Sequence, residues 1–125
     1  MEYTKKVMEL FKHPKHVGEI KNADGIGIIG NPTCGDEMHV YIKVKENKIK
    51  KIRYKTFGCV SAIASSEAMC TLAKNKTLEQ AEKITDKDIA NYLGGLPKIK
   101  YHCSILGHEA LKKAIENYKS KRTKK

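Results

Sequence analysis

The sequence is 125 residues long, 40% hydrophobic and 31% charged, with 25 Lys and Arg against 14 Asp and Glu. That length describes a single domain over residues 1–125, able to bury roughly two-thirds of its unfolded surface without staples. No apolar run approaches the ~18–20 residues of a membrane span, and Met1 to Lys6 lacks the apolar stretch of a signal peptide, so the expected compartment is the cytoplasm. The net charge of +11 suits either an anionic partner or simply a solvated lysine-rich surface. Few aromatics are interleaved for base stacking, which speaks against nucleic acid and leaves an acidic protein surface as the better partner.

Tyr3, Val7, Leu10 and Phe11 stand at helical spacing and predict a first helix that ends before His13-Pro14, because the residue preceding a proline is pushed out of the helical region. His13 and His16 fall in the connector that follows and read as solvated loop histidines. Gly25 to Ile29 predicts a first strand. Gly30-Asn31-Pro32-Thr33-Cys34-Gly35-Asp36 predicts a loop, since its glycines and proline interrupt regular structure. Met38, Val40, Ile42 and Val44 then alternate with polar residues, the period of a half-buried strand. A polar turn at Glu46-Asn47-Lys48 leads to a third strand from Ile49 to Phe57, with Ile52, Tyr54 and Thr56 on one face. Short connections make an antiparallel meander the natural arrangement, with helices on one face and the other face wetter.

After the third strand, Ser61 is placed to cap a helix running to about Lys74. Thr77 with Gln80, and Thr85 with the acidic residues behind it, look like capping boxes opening two short helices. Leu96 to Lys100 reads as an exposed loop around Pro97. His102-Cys103-Ser104 leads into a last helix whose apolar face is Ile105, Leu106, Ala110, Leu111, Ala114, Ile115 and Tyr118. Residues 120–125 read as a disordered basic tail.

The four cysteines are Cys34, Cys59, Cys70 and Cys103, widely spaced and without a C-x-x-C. In a cytosolic chain they point to metal ligands or reactive thiols more than to disulfides. Cys59 and Cys103 each stand just before a predicted helix, where unpaired N–H groups and the positive end of the dipole favour a thiolate. Asp36 beside Cys34 would hinder thiolate formation unless a cation lay between them, which suits a shared metal. Cys70 lies eleven residues beyond Cys59 on one helix, about 16 Å along its axis, and reads as a small buried side chain. Three thiols leave a fourth position on tetrahedral iron or zinc, for which Asp36 and His102 are the local candidates.

The segments Gly30 to Asp36, Lys55-Thr56-Phe57-Gly58-Cys59-Val60-Ser61-Ala62-Ile63-Ala64-Ser65-Ser66 and Leu96 to Ser104 stand in one order at characteristic separations. Together they resemble the IscU/NifU amino-terminal-domain family of iron–sulfur cluster scaffold proteins, over about Tyr3 to Lys121. The resemblance implies an α+β fold, a three-stranded antiparallel sheet with helices on one face and the cluster site at one tip. It implies a scaffold, not an enzyme, that builds a labile [2Fe–2S] cluster and passes it to apo-proteins. It further implies Cys34, Cys59 and Cys103 as cluster cysteines, and Asp36 and His102 as further ligand candidates. Cys103 would accept persulfide sulfur from a pyridoxal-phosphate cysteine desulfurase. Zn2+ could occupy the same site, and an iron or electron donor would complete the set of partners.

Two departures stand out. Val60 occupies a position where Gly or Ala is more usual. Leu96-Pro97-Lys98-Ile99-Lys100 lacks the second proline of the family's chaperone-binding segment and with it some extended-chain preorganisation, which argues against a specialised Hsp70-type partner. Two other readings share the same residues: a stable zinc-binding module that assembles nothing, and a thiol enzyme using Cys103 with His102. In the second of these, nothing orients the histidine as a base.

Overall fold

The computed structural model describes residues 4–31, 36–56, 60–94 and 102–123. The chain begins with α1 (Lys5–Lys12), capped by Thr4, whose Oγ1 accepts from the Val7 N–H at 3.1 Å. Val7 is fully buried, and Leu10 packs beside it on the core, so the helical spacing read from the sequence marks the packed face.

Three strands follow: β1 (Gly25–Asn31), β2 (Asp36–Lys45) and β3 (Lys48–Thr56). They form one antiparallel sheet in sequence order, the expected meander. The β2–β3 turn has Glu46 and Asn47 at φ 55° and 62°. Two successive left-handed residues match the twist of a two-residue hairpin. Past the turn the register shifts: Lys43 pairs with Lys51 and Val44 with Ile49, so Lys50 is the extra residue of a bulge. Met38, Val40 and Ile42 of β2 and Ile49, Ile52 and Tyr54 of β3 are buried on one face. The opposite face leaves Ile26 and Ile28 of β1 37% and 51% exposed, so the two faces differ as the alternation predicts.

The helices α2 (Val60–Ala73), α3 (Leu78–Glu82), α4 (Asp86–Tyr92) and α5 (His102–Thr123) complete the chain. Ala62, Ala64, Ser65, Ser66, Glu67, Ala68, Met69, Cys70 and Ala73 of α2 are all buried, so this helix is enclosed around most of its circumference. Its small side chains let neighbouring backbones come close. Both capping boxes form as read. Thr77 accepts from Gln80 N and Gln80 returns the bond to Thr77 N; Thr85 and Asp88 exchange the same pair. Gly94, at φ 79°, follows α4 in the left-handed conformation that suits a helix terminus.

The strands reach into the segment read as a loop, since β1 runs to Asn31 and β2 begins at Asp36, and three further boundaries differ from the sequence reading. α2 begins at Val60 and α5 at His102, so Ser61 and Ser104 lie inside first turns instead of capping them. Serine tolerates a first turn well, because the N–H groups there lack intrahelical acceptors. Third, α5 continues to Thr123, well into the segment read as a disordered tail. Lys121 and its basic neighbours end a helix, where cations are favoured by the dipole. Leu96 to Lys100 and Phe57 lie outside the described residues.

Candidate functional site

The antiparallel meander puts the end of β1, the start of β2 and the end of β3 at one edge of the molecule. Asn31 pairs with Asp36, and Met38 with Thr56. Cys34 falls between Asn31 and Asp36, and Cys59 between Thr56 and Val60; both lie outside the described residues, but the ends that bracket them are neighbours.

The two long helices start at that same edge. Gly25 of β1 lies under Ala114 and Tyr118, and Gly27 lies under Ala110 and Ala114, so α5 runs antiparallel to β1. Two strand residues advance ~6.6 Å and four helix residues ~6 Å. By that step, Asn31 is level with positions 102–106, the first turn of α5. Helix α2 runs antiparallel to β3. The Tyr54 hydroxyl is 3.5 Å from the Ile63 carbonyl, and past the far end of α2 the Asn75 N–H donates to the Ile49 carbonyl at 2.7 Å. Met38 holds the two helices to the sheet. Its Sδ accepts from Ser66 Oγ of α2 at 3.4 Å, and it lies about 4.0 Å from the position a side chain at Gly107 of α5 would occupy.

Of the five candidate ligands, Asp36 therefore opens β2, His102 and Cys103 are the first two residues of α5, and Cys59 immediately precedes α2 in sequence. The described residues that bear or bracket these five lie at the edge where two helices begin. Unpaired N–H groups and aligned peptide dipoles there stabilise negative charge by about 0.3–1 kcal/mol per helix. Such an edge favours thiolates and suits an anionic cargo. Among the described residues no group of three or more His, Cys, Asp or Glu is placed to hold a metal ion.

Cys70 is a different kind of cysteine. It is fully buried, and burial, with the nearby Glu67 carboxylate adding to it, pushes its thiol well up. It stays protonated in the core, as its spacing from Cys59 suggested.

One polar cluster escaped the sequence reading. Glu67 is 1% exposed, yet its Oε1 lies 2.8 Å from His16 Nδ1, and its Oε2 accepts from the His16 N–H at 2.9 Å. Burial alone would raise this carboxyl. The His16 ring, the Lys15 and His16 backbone N–H groups and the Tyr54 hydroxyl outweigh burial and hold it below the usual carboxylate range. Burial, and then the Glu67 charge, push the Tyr54 phenol well up, so it stays neutral. His16 is thus tied to α2 and not merely solvated. The available signal was a lone carboxylate in the small, apolar run Val60 to Ala73. A cavity of about 540 Å3 opens between α1 and α2 beside this cluster and carries no cysteine on its walls.

The chain matches known proteins over nearly its whole length. The model of the NifU-like N-terminal domain family matches residues 2–125. The chain is 53% identical to "Iron-sulfur cluster assembly scaffold protein IscU 1" of Archaeoglobus fulgidus, over 93% of this chain and 76% of that protein. It is 46% identical to the IscU scaffold protein of Escherichia coli, over all of both chains. Among solved structures, a NifU-like amino-terminal protein of Brucella abortus superposes with a TM-score of 0.74 at 18% identity, over 94% of each chain; that likeness concerns the fold alone.

Proposed function

The chain belongs to the family of NifU-like N-terminal domains, and from that premise we propose that it is an iron–sulfur cluster assembly scaffold. It receives sulfur and iron, builds a labile [2Fe–2S] cluster and hands it to apo-proteins. The observation that supports this reading is that the described residues bracketing Cys34 and Cys59 lie at the edge where α2 begins and where α5 opens with His102 and Cys103.

Sulfur arrives as the persulfide of a pyridoxal-phosphate cysteine desulfurase. The Cys103 thiolate attacks the terminal sulfur of that persulfide. A new S–S bond forms on Cys103, the old S–S bond breaks, and the desulfurase cysteine leaves as its thiolate. The two helix N-termini favour the attacking thiolate. Each transferred sulfur is at the sulfane level and takes up two electrons to become bridging sulfide, so a one-electron donor protein is a required partner. Cys34, Cys59 and Cys103 hold iron, with Asp36 or His102 as the fourth and more exchangeable ligand. A carboxylate or imidazole among thiolates makes the cargo releasable, which distinguishes a donor from a storage site.

Zinc suits the same tetrahedral donor set, and a stable zinc module is the competing function. Anaerobic reconstitution with ferrous iron, cysteine, a cysteine desulfurase and a thiol reductant that supplies the electrons separates the two. The scaffold develops visible charge-transfer absorption, with iron and acid-labile sulfide in equal amounts, and then activates an apo-ferredoxin. Zinc that stays bound while no absorption develops would overturn the assignment.

A further inference from the structure

A second feature lies along the middle of β3, away from the cysteine edge. β3 is an edge strand, and two segments cover parts of its open side. Near one end, the Tyr54 N–H donates to the His16 carbonyl at 2.9 Å, and the Gly18 N–H donates to the Tyr54 carbonyl at 2.8 Å. Near the other end, the Ile49 N–H donates to the Lys76 carbonyl at 2.9 Å, and the Asn75 N–H donates to the Ile49 carbonyl at 2.7 Å. Between them a gap remains. Arg53 and Lys51 pair inward with Tyr41 and Lys43, and Tyr54 bonds outward. Alternation therefore turns the Ile52 N–H and C=O outward as well. Among the described residues neither has a protein partner.

The gap opens into a cleft of about 240 Å3 whose walls include Lys15, Lys50, Lys51, Arg53 and Lys74 and carry no carboxylate. Three lysines outside the cleft are ion-paired, Lys43 with Asp24, Lys55 with Glu19 and Lys119 with Glu82. Among the described residues the four cleft lysines have no ion-pair partner. Arg53 donates to the Val17 carbonyl at 3.2 Å and fixes one wall. The bulge at Lys50 places Lys50 and Lys51 in succession at the cleft, where plain alternation would turn them to opposite faces.

We propose that this cleft is a docking site for an extended acidic segment of a partner protein, which pairs with the Ile52 backbone and sets its carboxylates against Lys15, Lys50, Lys51 and Lys74. Three features favour this occupant. An exposed strand edge offers both a donor and an acceptor, and an extended peptide uses both, whereas a phosphate uses only the donor. The volume is below the ~300–1,000 Å3 of small-molecule pockets. No Phe, Tyr or Trp lines the cleft, and its one ring, His16, is held against Glu67, so single-stranded nucleic acid finds a poor stacking platform. The Ile52 backbone lies ~13 Å along β3 from Thr56, so a partner held here leaves the cysteine edge free.

The test uses the full chain and a fluorescein-labelled ten-residue peptide of alternating Glu and Val. Fluorescence anisotropy is read for the native protein and for the Lys51→Glu/Lys74→Glu variant, with a ten-nucleotide oligothymidylate as competing probe. The proposal expects peptide binding that falls at least tenfold in the variant and at least fivefold between 50 and 300 mM salt. It also expects the Ile52 amide to shift and become protected from exchange in NMR spectra, while cluster assembly on the variant is unchanged. Peptide affinity equal in native and variant proteins overturns it, as does binding without any change at Ile52, which would be diffuse charge attraction. Oligothymidylate binding more tightly than the peptide, with the same sensitivity to the variant, assigns the cleft to nucleic acid instead. No peptide binding at low salt leaves the lysines as guards against edge-to-edge aggregation and also overturns the proposal.

Discussion

Replacing Gly27 by alanine tests the placement of α5, and with it the cysteine edge. A methyl group at Gly27 would lie 2.1 Å from the Ala110 carbonyl oxygen and 2.5 Å from the Ala114 nitrogen. Ordinary contact begins near 3.4 Å, so the helix must retreat by roughly 1 Å. Both obstructing atoms are backbone, and no rotamer change relieves them. The cost therefore sits at the upper end of overpacking, about 3 kcal/mol. Loss of glycine's freedom in the unfolded chain offsets about 0.4–1 kcal/mol of it. A net loss of about 2–3 kcal/mol lowers the melting temperature of a domain this size by roughly 10 °C. Thermal unfolding followed by far-ultraviolet circular dichroism reads this directly. Gly30→Ala is the control: among the described residues its methyl meets only the Glu37 Cγ, at 3.9 Å, and it should shift the midpoint by less than about 3 °C. If Gly27→Ala melts within that same margin, α5 does not rest on β1 as described, and the alignment of His102 and Cys103 with Asn31 fails with it.

Asp36→Ala should yield a longer-lived bound cluster and slower transfer to an apo-ferredoxin, followed by absorption decay; faster cluster loss would remove Asp36 as the exchangeable ligand. Glu67→Gln removes a buried, fully bonded charge and should cost roughly 2–3 kcal/mol at pH 7, measured by urea unfolding. Because the native carboxyl is held low, its stabilising effect is complete above the ordinary glutamate range and lost as pH falls below about 4.3. The native protein should therefore lose more stability than the variant on acidification, and parallel losses would show that Glu67 is not the titrating group. Cys70→Ala should cost about 1 kcal/mol through a small core cavity while leaving cluster yield per folded molecule unchanged; a drop in yield would make Cys70 a participant.

Local signals read from the sequence carried well where a short-range contact decides the outcome. Thr77 with Gln80, and Thr85 with Asp88, cap within three residues, and alternation from Met38 to Val44 fixes one face of β2. What escaped depends on distant partners. His16 meets Glu67 across 51 positions, and nothing beside His16 announces it. The bulge at Lys50 did leave a signal, since Ile49 and Ile52 stand three positions apart and share the buried face only if one residue bulges. Gly25 and Gly27 read as strand residues, whereas their role is to let the backbone of α5 settle onto β1. For the cysteine edge, three ordered motifs pointed to the family, which the comparisons show, but spacing alone could not say that α2 and α5 begin at one edge of the sheet. That follows from topology: the helix after β3 must return antiparallel to it, and α5 runs antiparallel to β1.

This return path also links the two ends of the molecule. Because α2 begins beside Cys59 at the cysteine edge, it must end in the basic cleft, where Lys74 directly follows Ala73. The positive end of its dipole lies at the cysteine edge and the negative end at the lysines. The first favours negative charge and the second lowers the cost of gathering ammonium groups. One enclosed helix can therefore support an anion-favouring edge and a cationic cleft. Neutralising the cleft should then leave the chemistry at the cysteines unaltered, since the two ends share a helix but no side chain.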